Sequence, residues 1–185
     1  MDDVLITGIT PEQHNHRLEE VFKRIHGKGL RASKEKSILG VMEVEYLGHQ
    51  INGIEVKPLQ KNLKNILNLK QPNNKAEVQS FLGMVNYYHR FIEDFAKVAA
   101  PLYELLKKGF HFDWKMEQQE AFEILKGKIG EEPILVCFNN DLEIILSVDA
   151  SNKGVGGALL HIIDGVERPI IFFPEFLGMS KRDIR

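Results

Sequence analysis

The sequence has little cysteine, no long hydrophobic run and almost no net charge, and these shortages exclude whole classes of protein. The single cysteine, Cys137, has no partner for an internal disulfide, which is typical of a reducing compartment. No apolar run approaches the ~20 residues of a membrane-spanning helix. The N-terminus lacks the basic and apolar regions of a secretion signal. We therefore expect an intracellular protein, in the cytoplasm or nucleus, that is not secreted and has no membrane partner.

The composition is that of a chain with a hydrophobic core, since 43% of the 185 residues are hydrophobic and 27% are charged. The net charge of −2 by itself predicts no nucleic-acid partner. The charge is nevertheless uneven, because residues 57–130 carry 12 Lys and Arg against 8 Asp and Glu, between two acidic ends. Such an excess fits either a solvated helical surface or a surface that follows a nucleic-acid backbone.

The first third of the chain predicts a mixture of strands and one helix. The apolar residues 4–6 predict a buried strand, and Thr10-Pro11 predicts the start of a helix. Residues 44–51 predict a further strand. Asn52-Gly53 is a strong signal for a two-residue hairpin turn, with residues 54–56 as the return strand.

The rest of the chain divides into a helical part and a strand-rich part. After Lys57-Pro58 the apolar residues follow helical spacing, which predicts helices over nearly all of residues 57–130. Residues 142–148, 154–160 and 169–173 then predict three strands joined by hairpins, which is an antiparallel meander. Because no later helix would cover this sheet, we expect the first and last thirds to be parts of larger domains.

Three carboxylates and one aromatic segment are candidates for function. Asp2 and Asp3 are adjacent, and Asp149 ends a predicted strand, so each could help to hold Mg²⁺; a solvated terminus and a turn-forming Asp are the alternatives. The segment from Tyr87 to Phe91 interleaves aromatic and basic side chains. It fits either contact with a nucleic acid or packing in a helical core.

Several blocks of sequence, in one order along the chain, resemble a known family. Met1-Asp2-Asp3-Val4 resembles the end of the Tyr-x-Asp-Asp motif of reverse transcriptases. Residues 44–51 resemble the palm, and residues 80–92 the thumb signature, of gypsy-type long-terminal-repeat retrotransposon polyproteins. Residues 148–151 and 154–159 resemble the opening of an RNase H-like domain. The similarity extends over nearly the whole chain, to about Phe173.

The resemblance implies an α+β fold in three parts. Residues 1–57 would be the C-terminal part of a reverse-transcriptase palm, and residues 58–131 the helices of the thumb and connection. Residues 132–185 would be the incomplete N-terminal part of an RNase H-like domain with an antiparallel sheet.

The resemblance also implies roles for individual residues. Asp2 and Asp3 would be two of the three catalytic, metal-binding carboxylates of the polymerase, and Asp149 the first of the nuclease, with Mg²⁺ as the cofactor. The primer grip, which holds the primer end, would be Tyr46, Leu47, Gly48 and His49. Tyr87, Tyr88 and Arg90 would contact nucleic acid, and the partner would be an RNA/DNA template–primer.

The implied parent activity is RNA-directed DNA polymerisation, a Mg²⁺-dependent nucleotidyl transfer, combined with an RNase H endonuclease. The third polymerase carboxylate, the fingers and the later nuclease carboxylates would lie outside this sequence. A single carboxylate does not assemble a two-metal site, so we expect the isolated chain to have little or no activity. The alternative is a domesticated or relic module that binds nucleic acid or protein without catalysis.

Overall fold

The computed structural model describes residues 3–109, 111–150 and 154–176. In these ranges the chain forms five α-helices, one short 3₁₀ helix and seven β-strands, and the strands form two antiparallel sheets. The expected α+β fold class is therefore confirmed. None of the helices in the described ranges is long and apolar enough to cross a membrane.

Helix α1 (Pro11–Gly27) begins where the sequence predicts it. The Thr10 hydroxyl accepts a hydrogen bond from the Gln13 amide at 3.2 Å, and the Gln13 side chain accepts one from the Ile9 amide at 2.8 Å. The first bond satisfies a backbone donor that a helix start leaves unpaired, and the second ties the residue before the cap to the first turn. No residue of α1 is buried, so the helix contributes nothing to the core of the described chain.

Two strand predictions in the first third are wrong. Residues 4–6 form no strand, and Val4 is 63% exposed, since the described chain supplies no strand for them to pair with. The strand predicted over 44–51 is two strands, β1 (Glu43–Tyr46) and β2 (His49–Asn52). Leu47 and Gly48 separate them, because both have positive φ, 43° and 72°, which reverses the chain.

The hairpin predicted at Asn52-Gly53 is confirmed. β2 pairs antiparallel with β3 (Glu55–Pro58), and the Asn52 side chain accepts hydrogen bonds from the amides of Ile54 and Glu55 at 2.8 and 2.7 Å. A fourth strand, β4 (Leu135–Val136), pairs with β3 and completes a sheet of order β1-β2-β3-β4. The sequence did not predict this pairing across the helices.

Four helices and the 3₁₀ turn form the core, and we call residues 60–130 the helical module. Its elements are α2 (Gln60–Leu67), α3 (Lys75–Asn86), the 3₁₀ helix (His89–Phe91), α4 (Phe95–Leu106) and α5 (Met116–Gly130). Their apolar faces meet in one cluster that includes Leu63, Val78, Phe81, Val85, Phe95, Leu102, Phe122 and Leu125. The helices predicted for this part of the chain are therefore confirmed.

The second sheet is the predicted meander of β5 (Ile144–Ala150), β6 (Gly154–Ile163) and β7 (Val166–Phe176). Asp164 and Gly165, with φ of 53° and 75°, form the tight turn between β6 and β7. The sheet lies against α4 and the 3₁₀ helix, and Phe172 packs on the core of the helical module. Through this packing, α4 lies beside β6 and β7, and the 3₁₀ helix lies beside β7.

Candidate nucleic-acid interface

The four residues of the predicted primer grip form the tip of the β1–β2 hairpin. Tyr46 ends β1, Leu47 and Gly48 make the two-residue turn, and His49 begins β2 opposite Tyr46. Two consecutive residues with positive φ match the right-handed twist of the flanking strands. Leu47 is a hydrophobic residue in this conformation and is 43% exposed at the tip.

The helical module holds this turn at both of its central carbonyl groups. The Tyr87 hydroxyl donates a hydrogen bond to the carbonyl of Leu47. The Leu59 amide, just before α2, donates one to the carbonyl of Gly48 at 3.1 Å. A Cβ atom on Gly48 would lie 3.2 Å from the Tyr87 ring and 3.3 Å from the Asn62 amide nitrogen. The backbone of the turn therefore approaches the helices as closely as a glycine permits.

The His49 ring lies among three aromatic rings of the helical module. It stacks on Tyr87 and on Phe91, with both centroid distances at 5.5 Å, and meets the edge of Tyr88 at 6.0 Å. Its Nε2 atom is buried and has no hydrogen-bond partner among the residues that the structure describes. The β1–β2 hairpin is thus joined to the 3₁₀ region by packing as well as by hydrogen bonds.

The environment of the His49 side chain lowers its pKa. Burial is the main cause, and the positive charge of Arg90 acts in the same direction, while the carbonyl groups of Leu47 and Tyr46 act against it. The imidazole is therefore held in its neutral form more firmly than an exposed histidine would be. A neutral ring is also the form that stacks on tyrosine and phenylalanine without a charge to desolvate.

The predicted nucleic-acid contacts divide into exposed and buried residues. Tyr87 is 49% exposed and Arg90 is exposed, and both lie beside the hairpin tip. Tyr88 is only 4% exposed and belongs to the hydrophobic core, which fits the alternative of packing in a helical core for this residue. Burial raises the pKa of Tyr88, and its hydroxyl is hydrogen-bonded to Asn62.

Two of the lysines in residues 57–130 use their ammonium groups in contacts within the helical module. The Lys126 ammonium group donates to the carbonyl of Leu69 at 2.9 Å and lies 4.9 Å from the centroid of the Phe122 ring. Lys75 donates to the carbonyl of Lys107, at the end of α4, at 2.9 Å. The excess of lysine in the sequence therefore overstates the charge available to a partner.

Two of the three candidate catalytic carboxylates, Asp3 and Asp149, lie in the part of the chain that the structure describes. Asp2 lies outside the described residues. Asp3 is exposed, and its carbonyl accepts a hydrogen bond from the Tyr46 hydroxyl at 3.3 Å. Asp149 is exposed on β5, opposite Gly156. The ranges that the structure describes contain no group of three or more His, Cys, Asp or Glu able to hold a metal ion.

Asp149 borders a small cleft between the meander and the helical module. The cleft has a volume of about 30 Å³. Asp94 and Lys97 line its opposite side, and Asp94 has a left-handed backbone with φ of 58°. Sequence reasoning missed Asp94, because its position before α4 is the signal of a helix cap, yet its side chain makes no capping hydrogen bond.

The fold is that of reverse transcriptases. A foamy viral protease–reverse transcriptase in complex with double-stranded DNA matches 97% of this chain with a TM-score of 0.71 and 24% identity, over 31% of that chain. The foamy viral protease–reverse transcriptase in complex with an RNA/DNA hybrid matches 97% of this chain with a TM-score of 0.69 and 25% identity, over 24% of that chain.

The sequence comparisons agree with this fold. Residues 114–184 match the RNase H-like domain found in reverse transcriptase. The chain is 32% identical over 159 residues to the Transposon Tf2-3 polyprotein of Schizosaccharomyces pombe and 31% identical to the Transposon Tf2-7 polyprotein of that organism. Each alignment covers 86% of this chain and 12% of the relative. The predicted resemblance to a stretch of a retrotransposon polyprotein, with reverse-transcriptase and RNase H-like features, is thereby confirmed.

The matched RNase H-like stretch begins at Trp114 and so includes α5 and β4 as well as the meander. The sequence analysis placed α5 with the helices that end at residue 131. The division of the chain at residues 57 and 131 stays a prediction.

Proposed function

We propose that this chain binds a template–primer duplex across the β1–β2 hairpin tip and the adjoining face of the helical module. The hairpin presents Leu47 and the helical module presents Tyr87 and Arg90, side by side. An aromatic face with a guanidinium group suits the sugar–phosphate backbone or a terminal base of a nucleic acid. The single observation that carries the proposal is the attachment of the predicted primer grip to Tyr87.

The proposed parent activity is reverse transcription by a longer polyprotein, with RNase H cleavage of the RNA strand. The chain spans 12% of the length of the curated relatives it matches, so this activity is proposed for the parent. The similar foamy viral structures hold double-stranded DNA and an RNA/DNA hybrid, which supports a duplex as the partner. Within this chain, the proposed roles of Asp2, Asp3 and Asp149 are as contributors to sites that the parent completes.

The described residues do not by themselves fit a magnesium ion. Two-metal phosphoryl transfer needs several carboxylates around one point, and Asp3 and Asp149 take part in no such group of the described chain. We derive no catalytic step from them. We propose that Mg²⁺ serves the parent enzyme and that the isolated chain contributes duplex binding alone.

Equilibrium binding of a fluorescein-labelled RNA/DNA primer–template, followed by fluorescence anisotropy over a range of KCl concentrations, tests the proposal. The dissociation constant should rise steeply with salt, because phosphate contacts release counterions. Arg90→Ala should weaken binding and reduce the salt slope by about one unit if Arg90 contacts one phosphate. Arg24→Ala, at an exposed arginine of α1, a helix with no buried residue, is the matched control. Binding that is absent, or that ignores both salt and Arg90, would overturn the proposal.

Primer extension tests the expectation that the isolated chain has no polymerase activity of its own. The isolated chain should bind the duplex yet extend no primer in Mg²⁺ and deoxynucleotides. Extension that is lost in Asp2→Asn/Asp3→Asn would show that the chain carries a complete polymerase site and would refute the expectation of inactivity.

A further inference from the structure

We propose that Tyr87 is a positioning residue, whose hydroxyl and ring fix the β1–β2 turn to the helical module so that both meet the primer strand as one surface. This inference rests on the proposed function, since it assumes that the hairpin tip contacts the duplex. It extends that function, because the ordered conformation of the hairpin tip would then depend on a residue 40 positions away in the sequence.

Two donors outside the hairpin bond to the backbone of the turn. Its two central residues have left-handed backbones, and Leu47 carries a side chain that disfavours this conformation. Here the Tyr87 hydroxyl serves Leu47 and the Leu59 amide serves Gly48.

The ring of Tyr87 is itself held in place, which makes it a fixed donor and not a mobile one. It stacks on His49 at a centroid distance of 5.5 Å and meets Tyr88 edge-on at 4.9 Å. The absence of a side chain on Gly48 lets the ring lie against the backbone of the turn. One tyrosine therefore contacts both the turn and the first residue of β2.

This arrangement orders the tip before a ligand arrives. Leu47 and Tyr87 are 43% and 49% exposed, so each presents part of its side chain outward while the hydrogen bond joins them. A binding surface that is already ordered loses less conformational entropy on association. Removing the hydroxyl should therefore weaken duplex binding through the mobility of the tip, while the exposed ring is retained.

Amide hydrogen exchange on the full chain tests the attachment directly, without any ligand. In Tyr87→Phe, the amides of residues 47–49 should exchange about fivefold to tenfold faster, as expected for loss of one hydrogen bond that limits local opening. The amides within α3 and α5 should be unchanged. Tyr103→Phe, which removes the same atom from α4, is the control. Equal exchange at 47–49 in Tyr87→Phe and the unmodified chain would overturn the inference.

Duplex binding in a double-mutant cycle then separates positioning from direct contact. Tyr87→Phe and Gly48→Ala should each raise the dissociation constant of the labelled RNA/DNA primer–template about threefold to tenfold, and the double variant should be little worse than either. Additive losses would indicate independent contacts and would refute the positioning role. If the unmodified chain binds no duplex, the proposed function fails, and with it the role in binding, while the exchange experiment still decides whether Tyr87 orders the turn.

Discussion

The Tyr87 hydroxyl donates a hydrogen bond to the carbonyl of Leu47, which joins the end of α3 to the tip of a hairpin 40 residues earlier. This contact places the predicted primer grip on the helical module. Through it, residues from two separate motifs of the sequence become neighbours on one surface.

Gly48→Ala should lower the free energy of unfolding by about 1–3 kcal/mol. The φ of 72° is unfavourable for any residue with a Cβ atom, and that atom would lie 3.2 Å from the Tyr87 ring. Urea denaturation followed by circular dichroism measures the change. Gly53→Ala is the matched control, because its Cβ would meet nothing within 4 Å. Equal stabilities of the two variants would contradict the close approach at Gly48.

Gly157→Ala should destabilise the β5-β6-β7 sheet by about 1–3 kcal/mol. A Cβ there would lie 2.3 Å from the nearest atom of the Phe173 ring and 3.2 Å from the Ser147 carbonyl oxygen, so the ring must move off the strand. Thermal unfolding compares it with the neighbouring Gly156→Ala, whose nearest contact is an ordinary 3.8 Å. We expect Gly156→Ala to be near neutral, and a reversed order of the two melting temperatures would refute the account.

The stability of the chain should fall as the pH drops below about 6.5, in part through His49. Burial lowers the folded-state pKa of His49, so the unfolded state binds more protons in the window just below the unfolded pKa. The stabilising contribution is therefore complete above that pKa and is lost as the pH falls through the window. Urea unfolding from pH 7.5 to pH 5.0 measures this dependence. His49→Phe, which keeps a ring for stacking, should flatten it, and an unchanged slope would contradict the assignment.

His161 should accept a hydrogen bond at Nε2 and donate one from Nδ1. Its side chain is fully buried, the Asn139 amide donates to Nε2 at 3.0 Å, and the carbonyl of Glu143 lies 2.9 Å from Nδ1. A nitrogen that accepts an amide hydrogen bond has no proton of its own, so Nδ1 is the donor. Nitrogen NMR chemical shifts of the ring report this tautomer. His161→Phe keeps an aromatic ring but leaves the Asn139 amide unpaired, and should cost about 1–3 kcal/mol.

Local signals predicted the elements that depend on local chemistry. The α1 start follows from Thr10 and Pro11, and the second hairpin follows from Asn52, whose side chain closes its own turn. The first hairpin was not predicted, because its turn contains a leucine, Leu47, in the left-handed conformation. The carbonyl of Leu47 accepts a hydrogen bond from Tyr87, which is distant in the sequence. A pattern read along the chain does not contain such contacts, so residues 44–51 resembled one continuous strand.

Long-range packing also determines which of the predicted site residues have exposed side chains. Tyr87, Tyr88 and Arg90 belong to one segment of alternating aromatic and basic residues, yet Tyr88 turns into the core and the other two do not. The pairing of β4 with β3 joins strands on either side of the helical module. Asp94 lies beside Asp149 across a cleft only because the meander packs on α4. Each of these relations depends on how elements pack, which the spacing of residues alone does not determine.

Hydrogen exchange of the full chain with and without a saturating RNA/DNA primer–template tests the central claim most directly. The account predicts that the duplex slows exchange at residues 46–49 and at residues 87–91, and leaves α1 unchanged. Protection confined to other parts of the chain, or no protection at a duplex concentration that saturates binding, would contradict a template–primer surface at the hairpin tip.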